Sequence, residues 1–151
     1  MSLKIVNFII YIIVLSTLSI YSAFAEQKTI TFDDGSTYIG EVVGGNMEGK
    51  GLFKSSKNTS NKQLIYSGEF KEGKFNGLGK LDFYNGDSYI GGFLDGYMHG
   101  SGLLKYESGS EYEGFFNKGN KEGKGRLVYS DGSIYEGDFK NDNIEGIGRI
   151  I

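Results

Sequence analysis

A single unit of 23 residues recurs along this chain. Tyr66 to Ser88 reads YSGEFKEGKFNGLGKLDFYNGDS, echoes of it start at Tyr89, Tyr112 and Tyr135, and a looser copy starts at Tyr38. A fixed period of this length marks a repeat architecture, in which each unit must be covered by its neighbour because it cannot bury its own apolar side. With each tyrosine as position 0, position 2 is Gly40, Gly68, Gly91, Gly114 and Gly137, and position 13 is Gly51, Gly79, Gly102, Gly125 and Gly148. Position 11 is also glycine in every copy: Gly49, Gly77, Gly100, Gly123 and Gly146. Position 4 is Val42, Phe70, Phe93, Phe116 and Phe139. Position 7 is Gly45, Gly73, Gly96 and Gly119, then Asp142. A further glycine stands three residues before a tyrosine, at Gly35, Gly86, Gly109 and Gly132, so only Gly44 and Gly92 of the 25 glycines fall outside these columns. Glycine therefore keeps a register here, which a disordered glycine-rich chain has no reason to do.

The apolar positions fall on even spacings, the period of a strand. Positions 0, 2 and 4 read Tyr-Gly-Phe, and Gly77, Gly79, Leu81 and Phe83 continue the pattern, with Ser67, Glu69, Lys124 and Arg126 among the polar residues between. Each unit is expected to be two short strands, apolar on one face. Gly73-Lys74 or Gly96-Tyr97 fits a two-residue hairpin loop with glycine first, a type II′ turn. Tyr84-Asn85-Gly86 and its equivalents fit a three-residue loop ending on a left-handed glycine. These turns pair position 0 with 15, 2 with 13 and 4 with 11, both within and between units. One row is then Tyr with Leu, one all glycine, and one Phe with Gly, so that rings lean over bare backbone. The expected fold is all-β: an elongated, single-layer, twisted antiparallel sheet of consecutive β-hairpins.

In chain order, residues 1–25 differ from the rest. Lys4 precedes an uncharged apolar run, and Ala23-Phe24-Ala25 is a small-x-small site before Glu26. This is the layout of a signal peptide cleaved between Ala25 and Glu26; the alternative is an uncleaved N-terminal anchor, given an apolar stretch of about 20 residues. Cleavage leaves a repeat domain at residues 26–151 and shifts the formal charge from -3 to -4. The chain is expected to be exported, to a periplasm, a cell surface or the medium. It holds no cysteine, so it has no disulfide and no thiolate chemistry. A half unit at residues 28–37 opens the sheet, with Ile30 and Phe32 matching positions 15 and 17, and five pairs of strands follow, eleven strands in all. A polar insertion within Lys54 to Gln63 separates the first copy from Tyr66. The last strand, Gly146 to Ile151, ends in Arg149-Ile150-Ile151, an edge open to self-association.

The pattern Y-x-G-x-[FV]-x-x-G-x-x-x-G-x-G resembles the MORN (membrane occupation and recognition nexus) repeat, from about Ile30 to the end. Val42 and Asp142 are its departures, in the two terminal copies. The resemblance implies a ribbon of hairpins and roles in scaffolding, protein contact and, in some intracellular relatives, attachment to acidic phospholipids.

Catalytic chemistry is not expected. His99 is the sole histidine, at a variable turn-proximal position that reads as solvated, and no nucleophile is evident beside it. Glu41, Glu69 and Asp138 share one column at repeat spacing, as a solvated face would. No cofactor and no metal is expected. Lysines are interleaved with carboxylates and the processed chain is acidic, which disfavours acidic lipid and nucleic acid as partners. The expected partner is another protein; a cell-envelope glycan is the alternative, because repeated aromatics can stack on sugars. Fourteen of the eighteen aromatics beyond residue 25 sit in the repeat columns. Phe75, Tyr84, Tyr97 and Phe115 lie off them and are the candidate exposed contacts.

Overall fold

The structure is a computed structural model and describes residues 25–58 and 60–151. The expected leader lies outside the described residues except for Ala25, which precedes the first strand. Every regular element among the described residues is a strand. In order they are β1 (Glu26–Thr31), β2 (Thr37–Val43), β3 (Asn46–Lys54), β4 (Ile65–Lys71), β5 (Lys74–Asp82) and β6 (Ser88–Leu94). Then follow β7 (Tyr97–Lys105), β8 (Glu111–Asn117), β9 (Asn120–Val128), β10 (Ile134–Lys140) and β11 (Asn143–Ile150). They form one open sheet in chain order, with neighbours antiparallel.

Two of the three expected rows are present. Tyr66 pairs with Leu81 and Leu81 with Tyr89, while Gly68 pairs with Gly79 and Gly79 with Gly91. The same matches recur through the later units, as in Gly102 with Gly114 and Gly114 with Gly125. The loops between units are also as expected. Phe83 N–H donates to Asp87 O at 2.9 Å, Gly86 N–H to Phe83 O at 3.1 Å, and Gly86 has φ 95°. This is a type I turn closed by a left-handed glycine.

The third row and the turn within each unit differ from expectation. Phe70 pairs with Gly49 of the preceding unit, but with Phe75 of its own. The cause lies in the turn. The two loop residues are Glu72 (φ 49°) and Gly73 (φ 78°), and equivalently Asp95-Gly96 and Lys118-Gly119. With φ positive at both, the turn is type I′ with glycine second, not type II′ with glycine first. The register then slips after Gly68, and Gly77 (φ 64°) sits in the bulge that absorbs the extra residues. Position 11 thus needs glycine for its backbone angle, and position 13 needs it for space.

The insertion before β4 is tied down. Ser55 N–H donates to Leu64 O, Leu64 N–H returns a bond to Ser55 Oγ, and Asn58 Oδ1 accepts from the N–H groups of Ser60 and Lys62, all at 2.9–3.0 Å. A loop closed in this way adds length without disturbing the register on either side.

The core is one side of the sheet. Tyr38, Tyr66, Tyr89 and Tyr112 are fully buried although no second layer covers them. Tyr66, Tyr89 and Tyr112 each pack edge-on between the phenylalanine of their own unit and that of the next: Tyr66 lies 5.1 Å from Phe70 and 5.0 Å from Phe93, and Tyr89 lies 5.2 Å from Phe93 and 5.0 Å from Phe116. Tyr38, whose own unit has Val42, meets Phe70 alone. Such pairs contribute about 0.5–1.5 kcal/mol each beyond their buried area. Position 9 closes the layer, because the slipped register turns Met47, Phe75 and Met98 onto this side, packed against the core.

Candidate functional site

The two faces of the sheet differ in what they leave available. On the core face each tyrosine hydroxyl is consumed internally. Tyr66 Oη donates to Glu69 O at 2.8 Å, Tyr38 Oη to Glu41 O at 2.7 Å and Tyr89 Oη to Gly92 O at 3.0 Å. Burial pushes the hydroxyls of Tyr66, Tyr89 and Tyr112 up to about 12. The rings above the glycines have no free edge for a ligand.

The opposite face is built from positions 1, 3, 5, 8, 12 and 14, and its composition changes along the sheet. Over the middle strands it is apolar: Leu78 is 69% exposed, Tyr97 58%, Phe115 55% and Ile90 52%. Leu94 is also exposed, and Leu103 is half-buried beside Ile90, its cross-strand partner. A scattered exposed leucine is ordinary, but apolar side chains concentrated on the middle strands of one face mark a contact surface; Ile39 and Val43 are exposed at the same positions of the first copy. Charges bound the group on both sides. Lys50 pairs across strands with Glu69 toward β3 and β4, and Lys124 with Asp138 toward β9 and β10. Shallow grooves cross this face over the glycine backbone. Lys50, Ser67, Glu69 and Leu78 line one; Ser101, Leu103, Glu113 and Phe115 line the next; Glu113, Lys124, Arg126, Glu136 and Arg149 line a third.

The four aromatic candidates separate. Tyr97 and Phe115 lie on this open face, and each lines a groove. Tyr84 is exposed at the loop after β5, away from the apolar group. Phe75 corrects the expectation. It is half-buried on the core face, stacked on Tyr66 with ring centroids 3.8 Å apart and planes 9° apart. The register slip carries it there, so its place off the repeat columns does not make it free. Leu78, Ile90, Leu94 and Leu103 were not singled out by the sequence reading. The signal was present, in columns that are polar in most copies and turn apolar around the third.

His99 is a second correction. It is not a solvated residue but half-buried, and its Nδ1 is buried without a hydrogen-bond partner among the described residues. Equivalent positions in the first and fourth copies carry Glu48 and Glu122, which accept the N–H groups of Glu72 and Asn141 from the next turn. His99 thus occupies an inter-unit bracing position. The pocket around it is lined by Leu94, Asp95, Tyr97 and Lys118. Among the described residues no group of three or more His, Asp or Glu side chains could hold a metal ion.

Comparison with curated proteins finds no match for this chain. The MORN repeat family model matches residues 38–60, 66–88, 89–111, 112–134 and 135–151, the same five copies that begin at the buried tyrosines and together more than half of the chain. The chain belongs to the MORN repeat family.

Proposed function

We propose that this chain is an exported, non-enzymatic scaffold that binds protein through the face opposite its tyrosines. The observation that carries the reading is the asymmetry of the sheet: on one face the repeat tyrosines are buried among their own rings, and the other exposes Leu78, Ile90, Tyr97 and Phe115 between charged cross-strand pairs. Apolar centre and polar rim are the anatomy of a protein contact. Export rests on the leader pattern that ends at Ala25, and the non-enzymatic reading on a sequence with no cysteine and one histidine. A glycan-binding role draws on the same two exposed aromatics, Tyr97 and Phe115.

The test expresses the full sequence with a C-terminal tag and captures partners from envelope and culture fractions. The native chain is expected to retain a discrete protein that Leu78→Asp and Phe115→Ser variants lose while keeping their far-UV dichroism. Retention on insoluble wall polysaccharide alone, lost with Tyr97→Ala, would replace the protein-binding reading with the glycan one. Turnover of a substrate abolished by His99→Ala would overturn the non-enzymatic reading.

A further inference from the structure

We propose that the open face pairs with the same face of a second copy, across a two-fold axis that runs parallel to the strands between β6 and β7. The proposal rests on the reading of that face as a contact surface. The axis reverses the strand order and leaves each row facing itself. β6 of one copy then lies over β7 of the other, β5 over β8, β4 over β9 and β3 over β10.

The row next to the glycines reads, from β3 to β10, Lys50, Glu69, Leu78, Gly92, Ser101, Phe115, Lys124 and Asp138, from cross-strand partners. Reversed onto itself, this row sets Leu78 against Phe115, Glu69 against Lys124 and Lys50 against Asp138. The row on the other side of the glycines sets Ile90 against Leu103, Lys80 against Glu113 and Ser67 against Arg126, and leaves Leu52 opposite Glu136 at its ends. Two apolar pairs, Leu78 with Phe115 and Ile90 with Leu103, flank a central Gly92 that faces Ser101, and opposite charges meet at three pairs further out, Glu69 with Lys124, Lys50 with Asp138 and Lys80 with Glu113. Self-complementarity is what a two-fold interface requires.

Two further observations point to the same occupant. Among the described residues Lys50, Glu69 and Glu113 form no ion pair within the chain. Lys124 and Asp138, which do pair with each other, would join Glu69 and Lys50 of the second copy in one alternating network. The other in-plane axis, perpendicular to the strands, would set Lys124 near Arg126 and Asp138 near Glu136, and it lacks this match. In area, eight strands about 4.8 Å apart and about 20 Å long give a footprint of about 770 Å² per copy, close to the roughly 800 Å² per partner of a standard stable interface.

The test is two double variants of the full chain, purified as the cell processes it. One is Lys50→Glu with Glu69→Lys; the other is Lys124→Glu with Asp138→Lys. Each keeps opposite charges on adjacent strands of its own sheet and inverts only what it offers to a second copy. Sedimentation from low micromolar to millimolar concentration is expected to show a dimer for the native chain, monomers for each variant alone, and a dimer for their equimolar mixture. In that mixture every inverted charge meets its complement. A native chain that stays monomeric overturns the pairing. So does a dimer that both variants keep, which would point to the β11 edge, or a mixture that does not reassociate. If the native chain is monomeric yet Leu78→Asp still abolishes capture of a partner protein, self-pairing fails while the contact-surface reading stands.

Discussion

The ring of Tyr66 fills the space above Gly79 in which any other residue would carry its side chain: a Cβ built there would meet Tyr66 Cζ and Cε2 at 2.6 Å and Oη at 2.5 Å. The same relation holds between Tyr89 and Gly102, and between Tyr112 and Gly125. Glycine is a poor strand former, and here its bare backbone is the floor on which each tyrosine lies. The ring is thereby buried in a sheet that has one layer.

Two glycines of β7 separate space from backbone angle. Gly100 has φ 72° with nothing within 4 Å of a built Cβ, while a Cβ on Gly102 would meet the Tyr89 ring. Gly100→Ala is expected to cost about 1–2 kcal/mol, the strain of a left-handed alanine. Gly102→Ala is expected to cost more, about 3 kcal/mol, because an overpacked ring and backbone must both shift. Urea unfolding with an unchanged m-value measures both.

Removing one hydroxyl tests the internal use of the tyrosines. Tyr66→Phe takes away the donor to Glu69 O and keeps the ring between Phe70, Phe75 and Phe93. A loss of about 1 kcal/mol is expected. Tyr66→Ala also removes the packing and is expected to cost about 3–5 kcal/mol. The ratio of the two losses, read from denaturant midpoints, reports how much of the stability is ring rather than hydrogen bond.

Alkali should unfold the sheet. The hydroxyls of Tyr66, Tyr89 and Tyr112 are raised to about 12, chiefly by burial, so between the ordinary value of about 10 and that point the unfolded chain releases protons that the folded chain keeps. Stability from these groups is complete below pH about 10 and is lost as pH rises toward about 12. Three groups acting in the same direction make the loss steep. Absorbance of tyrosinate against pH, followed together with dichroism, is expected to show ionisation and unfolding in one step. Gradual ionisation with the sheet intact would contradict it.

Lys121 stands where other copies place Met47, Phe75, Met98 and Ile144. Its Nζ lies 5.5 Å and 5.6 Å from the Tyr106 and Tyr112 ring centroids and donates to Tyr106 Oη at 2.8 Å. Lys121→Met restores an apolar side chain of similar length, and is expected to leave thermal stability unchanged or raised, because the ammonium no longer has to be desolvated. Lys121→Ala exposes the Tyr112 ring and is expected to lower stability by about 1–2 kcal/mol.

The periodicity carried the strand count, the order of the sheet and two of its three rows, because each tyrosine and its glycines restate the same register. The type I′ turn was harder to read. Its first loop residue is Glu72 in the second copy and Lys118 in the fourth, neither of which favours a positive φ, although Gly44-Gly45 and Asp95-Gly96 in the first and third are type I′ pairs. The bulge at Gly77 follows from that turn, and Phe75 follows from the bulge: a shift of one loop residue carries this aromatic from the open face to the core face. The open face was partly legible. Tyr97 and Phe115 stood out as aromatics, whereas Leu78, Ile90 and Leu103 are aliphatic residues in mixed columns that also hold Lys50, Ser67 and Arg126, and Ile39 and Leu52 in the first copy. Ile90 and Leu103 meet across the strands of one unit, while Leu78 and Phe115 come from the units on either side and share this face only in the assembled sheet.

Proton NMR tests the ring-over-glycine relation most directly. Ring currents from Tyr38, Tyr66, Tyr89, Tyr112 and Tyr135 should move the Hα resonances of Gly51, Gly79, Gly102, Gly125 and Gly148 far upfield, with nuclear Overhauser contacts from each ring to its glycine. Glycine Hα shifts near random-coil values in a folded sample, or contacts that place Tyr89 and Phe93 on opposite sides of the sheet, would contradict it.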